Sequence, residues 1–125
     1  MKEIKFNANG GNIVVSLLFD GVLMAGYSLR LYPDLISNDP ILKFSGNNAD
    51  DKPDYCVLPL PVIQNDGRLI KIKSGFKAVP GYENTPFTIT VAFIQDNITI
   101  GFEPKNGQLD GSDQNVDFSI KLLKG

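Results

Sequence analysis

The sequence predicts an all-β protein: an antiparallel β-sandwich of about seven to nine strands, Greek-key or jelly-roll-like. Three observations carry this. Apolar residues recur with a period of two in run after run, as in "PFTITVAFIQ" and "NVDFSIKLL". No apolar stripe of 3.6-residue period extends to the length of a helix. The runs are short and are separated by clusters of turn-forming residues, with 12 Gly and 8 Pro in 125 residues. A Greek-key β-barrel is the alternative closure of the same strands. The length predicts one domain over residues 1–125, large enough to bury a core without metal or disulfide.

Taken in order, "EIKF" sets Ile4 and Phe6 on one face. "NIVVSLLF" turns Ile13, Val15, Leu17 and Phe19 inward and leaves Val14 and Leu18 outside as an apolar stripe. Such a stripe is usually covered, here by a loop such as "CVLPLPV" or by another subunit. "FDGV" reads as a hairpin loop at Asp20–Gly21, with Phe19 facing Val22 and Leu17 facing Met24. Tyr27, Leu29 and Leu31 are then out of phase with Val22 and Met24, which predicts a β-bulge near Ala25–Gly26.

"YPDLISNDPILKF" predicts a turn or a 3₁₀ turn before a short strand at Ile41–Phe44, and "SGNNADDKPD" a polar loop. Pro59 and Pro61 bar "YCVLPLPV" from the middle of a sheet, so it should be an edge strand or an extended segment. "RLIKIKSG" turns Ile70 and Ile72 inward and Lys71 and Lys73 outward, and "KAVPGYENTP" is a loop. Phe87, Ile89, Val91 and Phe93 share a face. An Asp96–Asn97 type I′ turn would set Gln95 against Ile98, Phe93 against Ile100 and Val91 against Phe102. The last strand turns Val116, Phe118, Ile120 and Leu122 inward.

The function classes narrow by absence. There is no histidine, so no His-based acid, base or metal ligand, and no tryptophan, the best sugar-stacking and cation–π surface. A net charge of −2 argues against a dedicated nucleic-acid binder. One cysteine, Cys56, cannot form an internal disulfide, and without a histidine beside it reads as a buried structural thiol. No apolar run reaches the ~20 residues of a membrane span. The N-terminal residues lack the apolar core of a signal peptide, which predicts a cytoplasmic protein.

Candidate sites are few. "DGSDQNVDF" offers oxygen ligands at Asp110, Asp113, Asn115 and Asp117, but an EF-hand loop would need Gly at Phe118 and Glu at Lys124. A looser calcium site would combine Asp110, Asp113 and Asn115 with Asp50, Asp51 and Asp54, if loops 45–54 and 106–117 meet. Otherwise the stretch is a turn leading into the last strand. Arg68, Lys71, Lys73 and Lys77 form a basic run suited to an anionic polymer, or else a solvated face with lysines guarding an edge.

The expected function is a non-enzymatic interaction or assembly module that binds a protein partner or itself. Val14, Leu18, Val57, Leu58 and Leu60 are the candidate interface. The alternative is a carbohydrate- or small-ligand-binding module, calcium-assisted or cofactor-free, with Tyr32, Tyr55 and Tyr82 as stacking surfaces.

Overall fold

In the computed structural model, which describes residues 1–50 and 52–125, nine strands form two packed sheets. They are β1 (Lys2–Phe6), β2 (Ile13–Asp20), β3 (Leu23–Tyr32), β4 (Leu42–Asn47), β5 (Asp54–Val57), β6 (Leu69–Ala78), β7 (Pro86–Gln95), β8 (Ile98–Gln108) and β9 (Gln114–Lys124). The five-stranded sheet has the order β1-β9-β6-β3-β4, and the four-stranded sheet β5-β2-β7-β8. The expected sandwich is therefore present. All pairings are antiparallel except β1 with β9, which runs parallel and adds the first strand beside the last.

The alternation read from sequence decides what is buried. Ile13, Val15 and Leu17 of β2, Phe87, Ile89, Val91 and Phe93 of β7, and Phe118, Ile120 and Leu122 of β9 all enter the core. The β2 and β7 residues come from the four-stranded sheet, and those of β9 come from the five-stranded sheet with Leu29 and Leu31 of β3 and Ile70 and Ile72 of β6. Aromatic pairs tie the layers: Phe76 to Phe87 with ring centroids 4.6 Å apart, and Phe19 to Tyr27 at 6.1 Å. The buried amide of Gln95 clasps the β1–β2 loop, accepting from Asn7 N at 2.8 Å and donating to Asn7 O and Gly11 O.

The strand pairing corrects three expectations. Asp20–Gly21 is not a hairpin loop, because β2 and β3 belong to different sheets and the chain crosses between layers there. Gly21, at φ +131°, supplies a backbone conformation that other residues rarely adopt. With no hairpin to hold Val22 and Met24 inward, Leu23 and Ala25 enter the core instead and the phase never breaks. The bulge expected at Ala25–Gly26 is accordingly absent; β3 runs in unbroken register with β6, Gly26 opposite Gly75.

A bulge lies elsewhere. Asp96 and Asn97 form the expected turn, with φ of 53° and 62°, and Gln95 faces Ile98. The register then shifts between Phe93 and Ile94, so Phe93 faces Gly101 and Val91 faces Glu103, not Ile100 and Phe102. The extra residue sends Phe102 outward opposite Ala92.

The prolines act as expected: β5 is an edge strand ending before Leu58. The segment beyond it makes a 3₁₀ turn at Val62–Asn65, whereas Pro33–Ile41, where the sequence allows a turn or a 3₁₀ turn, is a series of bends. Asn65 is fully buried and holds this segment together, donating to Pro59 O and accepting from Arg68 Nη1.

Candidate interaction surface

The strand register places side chains in rows across the outer face of the four-stranded sheet. One row runs Val57, Val14, Ile94 across β5, β2 and β7. The next runs Tyr55, Ser16, Ala92, Phe102 and crosses the whole sheet. Leu18 and Thr90 begin a third. The exposed members are large and apolar: Leu18 is 43% exposed, Val57 48%, Phe102 57% and Tyr55 61%. Aromatic side chains thus stand on the two edge strands while the small Ser16 and Ala92 lie between them. In that row large aromatic side chains flank small ones on an apolar face.

Of the five interface candidates, Val14, Leu18 and Val57 lie on this face. Leu58 does not: it is buried in the core, because its N–H continues the sheet by donating to Ile13 O at 2.9 Å. Leu60 is exposed but lines an apolar hollow of about 510 Å³ with Ala8, Pro61 and Ile63, away from the rows. The "CVLPLPV" segment does not cover the Val14–Leu18 stripe either. Its first residues pair beside β2 and widen the apolar face.

The loops expected at 45–54 and 106–117 are shorter, because residues 45–47 and 54 belong to β4 and β5 and residues 106–108 and 114–117 to β8 and β9. Their remaining described residues sit at the same end of the sandwich, with the β6–β7 loop that carries Tyr82. They do not converge. β4 and β9, which lead into and out of them, are separated by three strand spacings, roughly 14 Å at about 4.8 Å each. Among the described residues, no group of three or more His, Cys, Asp or Glu is placed to hold a metal ion. Asp51 lies outside the described residues. Asp110 caps its own turn, accepting from Ser112 Oγ at 2.6 Å and Ser112 N at 2.9 Å, and these bonds hold its carboxyl pKa below the ordinary value. Asp113 is exposed and Asn115 is paired opposite Gly75 in the ladder. The stretch is thus a turn leading into β9, and Asp117 is a strand residue.

The opening of this loop end is a cleft of about 640 Å³ bounded by Phe19, Asp20, Val22, Asn48, Asp50 and Val79. Asn48 builds its wall. Its Oδ1 accepts from Ala25 N and its Nδ2 donates to Leu23 O, both at 2.8 Å, so one side chain prolongs the β3–β4 ladder. Asn48→Ala removes both bonds and leaves a half-buried strand end unsatisfied. It should cost about 1–3 kcal/mol in urea unfolding.

Asp54 serves the seam between the sheets, not the loops. Tyr27 of β3 donates its hydroxyl to Asp54 Oδ2 at 2.8 Å, and the buried Cys56 thiol lies 3.9 Å from the same hydroxyl. Burial, then the Asp54 hydrogen bond, pushes the Tyr27 pKa far above its ordinary 10.0. Burial likewise raises Cys56 above 9.0, opposed by the Tyr27 hydrogen bond and reinforced by the Asp54 charge. Raised native pKa values mean that the folded state holds these protons more tightly than the unfolded chain. The stability they contribute is present below pH 9.0 and is lost as pH climbs past 10.0. Urea midpoints measured across that window should fall, and Tyr27→Phe/Cys56→Ala should flatten the decline.

The three tyrosines do not form one stacking platform. Tyr55 is on the apolar face, Tyr82 is in the β6–β7 loop, and Tyr32 is on the outer face of the other sheet, where Lys71 Nζ sits 5.5 Å from its ring centroid. The residue that sequence reasoning missed is Phe102, which simple alternation places in the core and the bulge turns outward. No signal in the sequence marks that shift.

No protein-family model and no curated protein matches the chain. Two solved structures are similar to it. A domain of unknown function, DUF4425, from Bacteroides vulgatus has a TM-score of 0.52 at 14% identity, covering 88% of this chain and 93% of that one. A DUF4425 family protein from Bacteroides ovatus has a TM-score of 0.54 at 12% identity, covering 89% and 94%. At this identity the likeness concerns the fold alone. Among the described residues no helix is long and apolar enough to cross a membrane.

Proposed function

We propose that the chain is a non-enzymatic interaction module that pairs with a second copy of itself through the outer face of the four-stranded sheet. The observation that supports this is the Tyr55–Ser16–Ala92–Phe102 row, with Val57, Val14 and Ile94 beside it. A two-fold interface must be self-complementary. A face with aromatic side chains at its edges and small ones between them meets that demand, since an edge ring of one copy can rest over the small side chains of the other. Four strands at about 4.8 Å and some seven residues at about 3.4 Å give a contact face of roughly 19 by 24 Å. That is small for a specific interface, so the pairing is weak and concentration-dependent.

Size-exclusion chromatography with light scattering over a concentration series tests this reading. The apparent mass of the native chain should rise with concentration, and Tyr55→Ser/Phe102→Ser should hold it at the monomer value. A native chain that stays monomeric throughout removes the homomeric reading and leaves a different protein as the occupant of the face.

The second reading, a carbohydrate or small-ligand module with or without calcium, is favoured by the loop-end cleft with Asn48 and Asp50 on its walls. A ligand bound to the native state raises its melting temperature. Melts with calcium, with EDTA and with a panel of sugars that leave the temperature unmoved would remove it.

A further inference from the structure

We propose that the outer face of the five-stranded sheet carries a binding site for a tetrahedral oxyanion, a phosphate or sulfate group, held by Arg30, Lys71 and Lys73. The site is independent of the apolar face, which lies on the other sheet. β3 and β6 are neighbours inside this sheet, flanked by β4 and β9. Their register sets Lys43, Arg30, Lys71 and Ser119 in one row and Ser45, Ser28, Lys73 and Asp117 in the next. Lys43, Arg30, Lys71 and Lys73 are all exposed. Between them is a hollow of about 130 Å³ lined by Ser28, Arg30, Tyr32, Lys71 and Lys73.

Solvation alone is a poor account of this pattern. Like charges directly opposite on adjacent strands destabilise a sheet. Here Lys43 faces Arg30 and Arg30 faces Lys71, in a chain with 14 acidic residues against 12 basic ones. Lysines that guard against edge-to-edge aggregation belong on edge strands, and β6 is interior, so the edge-guarding role expected from the sequence does not apply. An anion in the hollow converts the repulsion into attraction.

The geometry favours a tetrahedral group. Adjacent strands put Arg30 and Lys71 about 5 Å apart at the backbone, and Lys73 follows Lys71 by about 7 Å along the strand. The three heads can therefore approach one ligand from three directions. A phosphate or sulfate offers at least three oxygens to them, whereas a carboxylate offers two. Arginine can grip two oxygens with its planar fork while the lysines act as point charges. The Ser28 hydroxyl adds a neutral donor, and the Tyr32 ring under Lys71 Nζ steadies one wall. The volume matches one such group with a few waters, at about 30 Å³ per water.

The test is titration of the isotope-labelled chain at low ionic strength, followed by amide NMR, with sodium phosphate, sodium sulfate, a phosphate monoester and a sulfated oligosaccharide as separate arms. Sodium chloride at matched ionic strength is the control. Saturable shifts centred on Ser28, Arg30, Tyr32, Lys71 and Lys73 are expected in at least one oxyanion arm. Loss of one charge-assisted contact in Lys71→Gln should weaken that binding about tenfold. Lys121→Gln, on the same face but outside the hollow, should leave it unchanged. The arm that binds most tightly identifies the source as a free ion, a phosphate ester or a sulfated sugar. Shifts that match chloride, that do not saturate, or that survive Lys71→Gln would overturn the proposal. Tighter binding of a single-stranded oligonucleotide, with shifts spread along all of β6, would overturn it as well.

Discussion

Phe93→Ala is expected to lower stability by about 3–5 kcal/mol, the largest loss predicted for any single change here. Phe93 is fully buried on β7, between Val15 of β2 and Gly101 of β8. Both neighbours are held by backbone ladders, and Gly101 has no side chain to move into the space. The cavity left by the ring therefore cannot close by a small shift. A domain of this size has a total stability of about 5–15 kcal/mol, so the variant should unfold at a far lower urea concentration. The dependence on denaturant should stay unchanged if the fold is retained. A loss below about 1 kcal/mol would mean that the ring is not in the packed interior.

Gly46→Ala is the second large effect, from crowding where Phe93→Ala leaves a void. Gly46 lies directly opposite Tyr27 in the β3–β4 ladder. A Cβ built at Gly46 would stand 2.6 Å from Asp54 Oδ2 and 2.8 Å from both Cε1 and the hydroxyl of Tyr27. The Tyr27 ring lies across the glycine to reach Asp54, and it is buried, so it cannot swing aside without opening the seam between the sheets. Overpacking of this kind costs about 1–3 kcal/mol. If the loss comes from the Tyr27–Asp54 bond, Gly46→Ala should cost much less in a Tyr27→Phe background, and the two effects should fall well short of adding. Full additivity would place the strain in the contact with the ring carbon Cε1, which phenylalanine keeps.

Much of this architecture is legible in the residues themselves. Alternation assigns the buried faces of β2, β6, β7 and β9 because a strand with one face in the core must alternate. Asp96–Asn97 is legible because few residues tolerate positive φ at both positions of a tight turn. What alternation does not contain is which strands are neighbours. Asp20–Gly21 has the composition of a hairpin turn but makes a corner between sheets, and the local pattern serves both uses equally. The β7–β8 bulge is hidden for a related reason. Ile98, Ile100 and Phe102 alternate cleanly, and only backbone pairing reveals the extra residue.

The surfaces are less legible than the core, because they exist only once the register is known. Tyr55 and Phe102 belong to one row only through Ser16 and Ala92, and Lys43 joins Arg30 and Lys71 only through the β3–β4 and β3–β6 ladders. Leu58 shows the converse. Set between apolar residues and prolines it looks like part of an exposed segment, but one backbone hydrogen bond to Ile13 draws it inside.

The two sheets thus present different outer faces, one apolar and one basic, and self-association is proposed for the apolar one. Amide NMR spectra of the unliganded chain over a range of protein concentrations test that assignment most directly. Residues 14, 16, 18, 55, 57, 92, 94 and 102 should shift together along one binding curve while Arg30, Lys71 and Lys73 stay still. Concentration-dependent shifts confined to the basic face, or none at any concentration, would contradict it.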